Sequence, residues 1–289
     1  MPSVTITPHR HLPPTQRSAA DALLTEMSVA DASAPPMFLD ELPADSPHPL
    51  LFLAETGNDL IGLATAPPGR EIEATIAVVP AARRQGIGRQ LLMSIQNELR
   101  VRSIPTALLV ADLKVPAARH FLAAVGAEWE EAEYRLSLRA ADPRTVPPHI
   151  PGLALRAATP ADAPALNRIQ MQAFARPAEV AGAHIAAGLA ETHRHFVLAE
   201  IAGDAVGMVR CGTWAGVGDI TSLGVLPAWR GRGIGRALLL DAIATLFASG
   251  LERVDLEVET GNTTALRLYE SIGFRITAEY GYYRIASGG

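Results

Sequence analysis

The sequence predicts an α/β protein in which a mixed sheet flanked by helices occurs twice along the chain. The chain has 289 residues, the length of two ordinary domains. Two glycine-rich runs, ARRQGIG from Ala82 and WRGRGIG from Trp229, repeat one pattern 147 residues apart. Around the second run, sequence patterns typical of strands alternate with patterns typical of helices, as in α/β domains.

A proline-rich segment separates the two copies. The run RAADPRTVPPHIPG from Arg139 has four prolines and no hydrophobic periodicity, which is typical of a linker. We therefore place the boundary near Thr145 to Gly152 and predict domains at residues 1–144 and 152–289. A repeat of this length exceeds the 20 to 50 residues of a solenoid repeat, so each copy is expected to be a whole domain.

Composition excludes several classes of function. A formal net charge of −5 gives no general attraction to nucleic acid or anionic membranes. Cys211 is the single cysteine, and the pair His193 and His195 has no further ligand at a suitable spacing, so no metal site is expected. The N-terminus lacks the apolar core of a signal peptide, and no apolar run approaches the roughly 20 residues that span a bilayer. We therefore expect a cytoplasmic protein that binds neither nucleic acid nor membrane.

The second copy opens with a helix and three strands. TPADAPALNRIQMQAF has Thr159 as a suitable N-cap and Pro160 at the first helical position, followed by apolar residues near helical spacing. FVLAEIAGDAVGMVRC has the pattern of two strands joined by a turn at residues 202–204. DITSLGVLP predicts a third strand, which Pro227 stops.

Two helices and further strands complete the copy. The glycine run opens a helix that Gly250 ends. VDLEVE alternates apolar residues with three acids, which predicts a half-buried strand with its acids toward solvent. The next helix stops at Gly273, and FRITAEYGYYRIA is expected to close the domain as a hairpin that turns at Gly281.

The glycine runs have the character of an anion site. A strand that feeds a glycine-rich turn opening a helix leaves backbone N–H groups unpaired, with the positive end of the helix dipole behind them. Glycines allow the backbone to approach a phosphate closely, and arginines add charge-assisted bonds. A pyrophosphate suits these donors better than a single phosphate, although an ordinary tight turn with solvated arginines remains the alternative.

Two other phosphate-binding patterns do not fit. The dinucleotide motif G-x-G-x-x-G starting at Gly233 would require glycine or alanine at position 238, where Leu238 stands. A P-loop would require G-K-[ST] after the glycines, and neither run has it.

The second run resembles the acetyl-CoA loop of the GNAT superfamily of N-acetyltransferases. Its pattern is V-x-P-x-x-R-x-x-G-x-G, with Val225, Pro227 and Arg230 ahead of the glycines, and the first run from Val78 has the same pattern. LEVETGNTTALRLYESIGF, from Leu256, is similar to the strand and helix that follow the loop in that superfamily. The resemblance covers nearly the whole chain and implies two tandem GNAT-like acyl-CoA acyltransferase domains.

The resemblance also implies how acetyl-CoA binds. In the superfamily, the strand before the loop diverges from its neighbour, the pantetheine arm lies in the gap, and the loop holds the pyrophosphate. A backbone N–H of that strand, here of Val225, bonds the thioester carbonyl. The residues implied in the second copy are Leu223, Gly224, Val225, Arg230, Gly231, Arg232, Gly233, Ile234, Gly235, Arg236 and Asn262. Those implied in the first copy are Val78, Arg83, Arg84, Gln85, Gly86, Gly88 and Arg89.

Catalytic roles follow from the same resemblance. Tyr269 would protonate the departing CoA thiolate, and Asn262, two helical turns earlier on the same face, would contact the cofactor. An amine nucleophile must lose a proton, and Asp219 resembles the base of some family members, with Glu257 as second choice. Structural alternatives stay open: Tyr269 as a core aromatic, Asn262 as a helix cap, and either acid as a solvated strand-end charge.

The two copies are not equivalent at these positions. The first copy has Ile72, Val115 and Leu122 where the second has Asp219, Asn262 and Tyr269. We therefore predict a catalytically degenerate first domain that still binds acetyl-CoA or CoA, beside a catalytic second domain.

The predicted function is an acetyl-CoA-dependent N-acetyltransferase acting on a primary amine of a small molecule. The alternatives are a non-catalytic acetyl-CoA sensor or interaction protein, and an acyltransferase with another acyl donor or a hydroxyl acceptor. The acceptor pocket carries no readable code, and the protein is expected to be a monomer or homodimer.

Overall fold

The computed structural model describes residues 3–33, 37, 39, 42–43, 46–69, 71–142, 149–214 and 216–288. The chain forms two compact units. Unit 1 comprises Met1–Tyr134 and Ala278–Gly289, and unit 2 comprises Arg135–Thr277. Part of the predicted linker, residues 143–148, lies outside the described residues, so the domain limits 1–144 and 152–289 stay a prediction.

Unit 1 is a mixed sheet with helices on it. Its strand order is β1-β2-β3-β4-β5-β12, in which β4 and β5 are parallel and the other neighbours are antiparallel. Buried apolar residues lie on both faces of this sheet, one core under α2 and the other under α1. The elements in chain order are β1 Val4–His9, α1 Arg17–Asp31, β2 Leu51–Thr56, β3 Asp59–Thr65, β4 Glu73–Val78, α2 Ile87–Val101, β5 Thr106–Asp112, α3 Pro116–Val125 and the start of β6 Glu128–Arg139.

Unit 2 repeats this plan. Its strand order is β6-β11-β10-β9-β8-β7, with β10 and β11 parallel. Residues 135–139 of β6 therefore take the edge position beside β11. The elements are β7 Leu153–Ala157, α4 Ala163–Phe174, α5 Ala178–Ala190, β8 Arg194–Ile201, β9 Asp204–Trp214, β10 Val217–Val225, α6 Ile234–Ala248, β11 Arg253–Glu259, α7 Thr263–Ile272 and β12 Arg275–Ala286.

Most elements predicted for the second copy are confirmed. Thr159 and Asp162 form a capping box ahead of α4. The turn between β8 and β9 has Ala202 and Gly203 in the left-handed region, which suits a tight hairpin. Helix α7 ends in a left-handed Gly273. Helix α5 was not anticipated from the sequence.

The predicted hairpin at Gly281 is wrong. β12 runs without a turn from Arg275 to Ala286, and its part from Tyr280 onward pairs antiparallel with β5 of unit 1. Glycine at 281 has another cause, because a Cβ there would lie 2.7 Å from the Leu113 side chain. The tyrosines of β12 therefore belong to unit 1.

The predicted exposure of β11 is also wrong at one position. Val254, Leu256 and Val258 are buried as the alternation requires, but Asp255 is buried as well, with 4% of its surface exposed. Its carboxylate is held by ion pairs, which alternation alone does not reveal. Within the part of the chain that the structure describes, no helix combines the length and apolar character needed to cross a membrane.

Candidate active site

The glycine loop of unit 2 is built as an open cradle. A short 3-10 turn, Pro227–Trp229, leads into it, and Gly233 is the left-handed N-cap of α6 with φ of 82°. Gly231 is also left-handed, with φ of 76°, and a Cβ on either glycine would meet nothing within 4 Å. The first N–H groups of α6 have no partner within the helix. The backbone conformation thus favours glycine here, and the space above the loop suits a phosphate.

The arginines of this loop hold it in shape. Arg230 donates from Nε to the Val225 carbonyl at 3.1 Å and from Nη2 to the Ala173 carbonyl at 3.0 Å. Arg232 lies over the Trp229 ring, 4.7 Å from its centroid. Arg230 therefore ties the end of β10 to α4, a structural role in addition to any contact with phosphate.

The loop of unit 1 has the same backbone path. Gly86 is a left-handed N-cap with φ of 83°, and Arg83 repeats the bond of Arg230 by donating to the Val78 carbonyl at 3.0 Å. Arg83 also forms a bidentate ion pair with Asp31 at the end of α1, at 2.9 and 2.6 Å. Where unit 2 has Gly231, unit 1 places Arg84 in the left-handed region with φ of 64°.

A cavity of about 840 Å³ adjoins the loop of unit 1. This volume lies within the range of ligand-binding pockets. Six of the seven residues predicted for the first copy line it, namely Val78, Arg83, Arg84, Gly86, Gly88 and Arg89. The seventh, Gln85, instead donates to the Ala81 carbonyl at 3.1 Å.

The strand before each loop separates from its parallel neighbour. In unit 2, β10 pairs with β11 from Gly218 to Ile220 and then runs on to Val225 without further described register partners in β11. In unit 1, β4 pairs with β5 only at Glu73 and Ala74. Each unit thus has a gap between its two central parallel strands.

The hydrogen-bond register of β10 directs one N–H into this gap. The Leu226 N–H donates to the Val206 carbonyl of β9, at 2.9 Å. Because antiparallel partners alternate between bonded and non-bonded pairs, the N–H and C=O of Val225 point away from β9. Arg230 donates a hydrogen bond to the Val225 carbonyl. The Val225 N–H is directed toward the side on which β11 has diverged.

A β-bulge distinguishes unit 2 from unit 1. The β9–β10 register shifts between Thr221 and Gly224, and Ser222 lies in the left-handed region with φ of 51°. The register of β3 and β4 shows no such shift.

His184 of α5 lies 3.3 Å from the Ser222 hydroxyl. Burial lowers the pKa of the His184 imidazole, and the charges of Arg176 and Arg210 lower it further.

Tyr269 lies on α7 and is almost fully buried. Its ring packs edge-on against Phe274 with centroids 6.1 Å apart. Burial raises the pKa of its hydroxyl to about 12, so the group carries its proton at neutral pH. Leu122 occupies the matching place in unit 1 and has no proton to give.

Asn262 is the N-cap of α7. Its Oδ1 accepts from the Ala265 N–H at 3.1 Å, so the predicted capping role is present. The amide nitrogen of the same side chain is the group that could donate to a cofactor.

Asp219 lies on β10 in the short stretch that still pairs with β11, just before the gap. It forms an ion pair with Arg194 of β8 at 2.9 Å and keeps 17% of its side chain exposed. Burial raises the pKa of its carboxyl, the nearby guanidinium groups of Arg194, Arg210 and Arg135 oppose this, and the charge of Asp255 adds to it. Glu257, the second choice as base, is exposed on β11.

Several polar residues of this site were missed from the sequence. Arg194 stacks on Trp214 at 4.2 Å and contacts Glu191 at 3.8 Å, and the buried Arg210 also pairs with Glu191. Arg194 lies on β8, Arg210 and Trp214 lie on β9, and Glu191 follows α5. Only Arg210, a charge inside an apolar strand pattern, left a signal in the sequence.

His195 and Cys211 are the remaining candidate residues of unit 2. In the described part of the chain, no three His, Cys, Asp or Glu side chains form a cluster that could hold a metal. His195 lies 3.7 Å from the Cys211 sulfur, and burial raises the pKa of that thiol to about 12, with Asp241 and Asp219 adding to it. Cys211 is therefore a buried thiol and a poor nucleophile.

Comparison with known proteins agrees with this geometry. The model of the acetyltransferase (GNAT) family matches twice, at residues 19–127 and 163–274. The mycothiol acetyltransferase of Clavibacter michiganensis subsp. michiganensis is 35% identical over 248 residues, covering 82% of this chain and 80% of that protein. The N-alpha-acetyltransferase RimI of Mycobacterium tuberculosis is 36% identical over 141 residues, covering 45% of this chain and 84% of that protein.

A solved structure shows the same fold over the whole chain. The GCN5-related N-acetyltransferase from Sphaerobacter thermophilus superposes with a TM-score of 0.83 at 22% identity, covering 99% of this chain and 96% of that one. The two family matches, the two glycine loops and the two gaps all indicate two copies of one domain. The chain belongs to the GNAT family of acetyltransferases, carries the family's domain twice, and uses acetyl-CoA as acetyl donor.

Proposed function

We propose that unit 2 transfers an acetyl group from acetyl-CoA to a primary amine of a small molecule. The observation that carries this proposal is that unit 2 has a backbone N–H directed into the gap at Val225, the carboxylate of Asp219 on the same strand and the buried hydroxyl of Tyr269 on α7. Unit 1 has a similar gap, but Leu122 stands there in the place of Tyr269. The sequence offset that matched Ile72 to Asp219 is wrong, because the bulge adds one residue to β10, and in register Glu73 lies in the place of Asp219.

Binding of the donor is assigned to backbone and loop. The N–H groups at the start of α6 and the open faces of Gly231 and Gly233 would hold the pyrophosphate, and Arg232 and Arg236 would add charge. Acetyl-CoA supplies the acetyl group as a thioester. The N–H of Val225 would bond the thioester carbonyl oxygen and stabilise the negative charge that develops on it, an effect commonly worth about 3 to 4 kcal/mol.

Asp219 is the proposed base. As the amine nitrogen forms its bond to the carbonyl carbon, it loses a proton, and ordered water carries that proton to the carboxylate of Asp219, six residues before Val225 on β10. Arg194 holds that carboxylate in place, and its residual exposure lets an acceptor approach. Glu257 remains the second choice, because it lies exposed on the facing strand.

Tyr269 is the proposed acid. The bond between carbonyl carbon and sulfur breaks with its electron pair on sulfur, and the Tyr269 hydroxyl gives that sulfur a proton. A phenol with a pKa of about 12 is a weak acid, so the transfer requires that the same buried surroundings also raise the pKa of the thiol.

Unit 1 is proposed to bind acetyl-CoA or CoA without turning it over. Its left-handed Gly86, its arginines and the adjoining cavity supply the phosphate cradle and the volume. A structural or sensing role for that bound cofactor is compatible with the loss of the proton donor, since Leu122 stands in the place of Tyr269.

For the acceptor, we propose the unacetylated amine precursor of mycothiol. The reason is that the relative from Clavibacter michiganensis, which matches 82% of this chain, is named mycothiol acetyltransferase. Thr221 supports a polar acceptor: it follows Asp219 on the same face of β10, and its buried hydroxyl has no hydrogen-bond partner among the described residues. A peptide N-terminus is the second candidate, favoured by the match to RimI over one copy. A cytoplasmic location and a monomeric or homodimeric state remain part of the proposal.

The test is an acetyl-transfer assay on the full chain with acetyl-CoA. The unacetylated mycothiol amine and a panel of peptides with free N-termini are compared as acceptors for the wild type and Asp219→Asn. We expect turnover of the mycothiol amine, and a fall in kcat of about 10² to 10⁴ in the variant. Preference for peptides would shift the proposal to the second candidate. Binding of acetyl-CoA without turnover of any amine would favour the non-catalytic sensor.

A further inference from the structure

Asp255 is a buried carboxylate to which the proposed reaction assigns no role. Only 4% of its surface is exposed. Arg135 donates to Oδ2 at 2.9 Å and the Ser137 hydroxyl to Oδ1 at 2.7 Å, while Arg253 contacts Oδ1 at 3.1 Å. Arg135 and Ser137 come from β6, the last strand of the first sequence half, although they lie in unit 2.

Asp255 lies directly beside Asp219. The two are register partners on the parallel strands β10 and β11, which are separated by about 4.8 Å as neighbours in a sheet. Partners in register project from the same face, so two carboxylates face each other across adjacent strands. Like charges so placed repel, and each carboxylate here has its own arginine, Arg194 for Asp219 and Arg135 for Asp255.

We propose that Asp255, held by Arg135 and Ser137 of β6, is a positioning residue that sets the basicity of Asp219. The inference rests on the proposed function only in taking Asp219 as the base. It also gives the first sequence half a part in catalysis, because that half supplies the strand that holds Asp255.

The charges around Asp219 give the direction of each effect. Arg194 on β8, Arg210 on β9 and Arg135 on β6 lower the pKa of the Asp219 carboxyl, whereas Asp255 on β11 raises it. Two further titratable groups lie in the same network: Glu191 ahead of β8 pairs with Arg194 and Arg210, and His184 of α5 has its pKa lowered by Arg210. Removing Asp255 and removing Arg135 should therefore move the titration of Asp219 in opposite directions.

The experiment is a carbon-13 NMR titration of the full chain with aspartate labelled at its side-chain carboxyl. The Asp219 resonance is assigned from its loss in Asp219→Asn. In Asp255→Asn we expect the titration midpoint of Asp219 to fall, and in Arg135→Gln we expect it to rise, each on the order of one pH unit. The double variant Arg135→Gln with Asp255→Asn should return close to the wild type.

Arg253→Gln is the matched control. It removes an arginine from the same carboxylate, but Arg253 is 46% exposed, so solvent screens its charge and the shift should be clearly smaller than for Arg135→Gln. If the Asp219 midpoint stays in place in both Asp255→Asn and Arg135→Gln, or moves in the same direction in both, the inference is wrong. Because Asp255→Asn is nearly isosteric, its result stands even if Arg135→Gln folds poorly.

Kinetics separates this inference from the proposed function. If the Asp219 midpoints move as expected and the acid limb of kcat moves with them, both stand. If the midpoints move but Asp219→Asn keeps full activity, the coupling stands and Asp219 is not the base. If Asp219→Asn is inactive while the midpoints stay fixed, the base stands and the tuning by Asp255 is wrong.

Discussion

The two glycine loops share a backbone and differ in what surrounds them. Gly86 and Gly233 cap their helices with φ of 83° and 82°, and Arg83 and Arg230 both bond the carbonyl of the strand before the loop. Around the gap, unit 2 has Tyr269 where unit 1 has Leu122, whereas Asp219 has the acid Glu73 as its counterpart in register. The backbone that suits a phosphate and an acid on the central strand are thus present in both units, while the tyrosine that suits proton donation is present in one.

This difference indicates that cofactor binding and catalysis depend on separable features. Phosphate recognition rests on backbone N–H groups and left-handed glycines, which tolerate changes in the neighbouring side chains. Proton transfer rests on single titratable side chains, each of which one substitution removes. A duplicated domain can therefore lose the second feature and keep the first.

The largest expected effect is on Tyr269. Tyr269→Phe keeps the ring against Phe274 and removes only the hydroxyl. We expect kcat to fall by about 10² to 10⁴ with the Kd for acetyl-CoA unchanged within about twofold, as for loss of a general acid. Steady-state kinetics and calorimetry measure the two quantities.

The matched control is Tyr282→Phe in unit 1. Tyr282 is similarly buried, and its hydroxyl donates to Glu133 at 3.1 Å. Its loss should cost about 1 kcal/mol of stability and leave kcat unchanged. Equal loss of kcat in the two variants would contradict the assignment of Tyr269.

A smaller effect is expected where the strand of unit 2 passes α4. A Cβ on Gly224 would lie 2.6 Å from the Phe174 ring, whereas unit 1 has Ala77 at the matching position. Gly224→Ala should therefore lower the free energy of unfolding by about 1 to 3 kcal/mol, through overpacking. Urea denaturation measures this.

Ala77→Gly is the counterpart in unit 1. It creates no clash and should cost only about 0.5 to 1 kcal/mol, the usual penalty of glycine within a strand. If Gly224→Ala cost no more than Ala77→Gly, the packing of Phe174 on β10 would not be what requires glycine.

The smallest effect compares the two left-handed loop positions. Arg84 has φ of 64° where unit 2 has Gly231 at 76°. Arg84→Gly should raise the free energy of unfolding by about 1 kcal/mol, because a residue with a Cβ is strained there, and Gly231→Arg should lower it by a similar amount. Thermal unfolding of both variants checks the opposite signs.

Much of the second copy could be predicted from the sequence because its signals are local. The capping box at Thr159, the turn at residues 202–203 and the glycine stops depend on neighbouring residues alone. The doubled loop indicated the family, since the same backbone requirement appears twice.

The errors concern long-range pairing. Nothing near Gly281 shows that β12 continues straight and pairs with β5, because the partner strand lies far away in the sequence. The burial of Asp255 depends in the same way on Arg135 and Ser137, 120 and 118 residues away. Alternation in a strand predicts faces, and it cannot predict which charged partner will cover one of them.

The central claim is that unit 2 transfers acetyl groups and unit 1 does not. The most direct test is the rate of acetyl transfer by Gly233→Glu and Gly86→Glu, each of which places an acid in one phosphate loop. Gly203→Glu, in the β8–β9 turn with φ of 86°, carries the same backbone strain without a loop and serves as control.

At a fixed acetyl-CoA concentration, we expect Gly233→Glu to lose transfer by about 10²-fold or more, since a like charge at a phosphate site costs several kcal/mol. Gly86→Glu should keep the rate of the Gly203→Glu control. Equal loss in the two loop variants, or loss in Gly86→Glu alone, would contradict the claim.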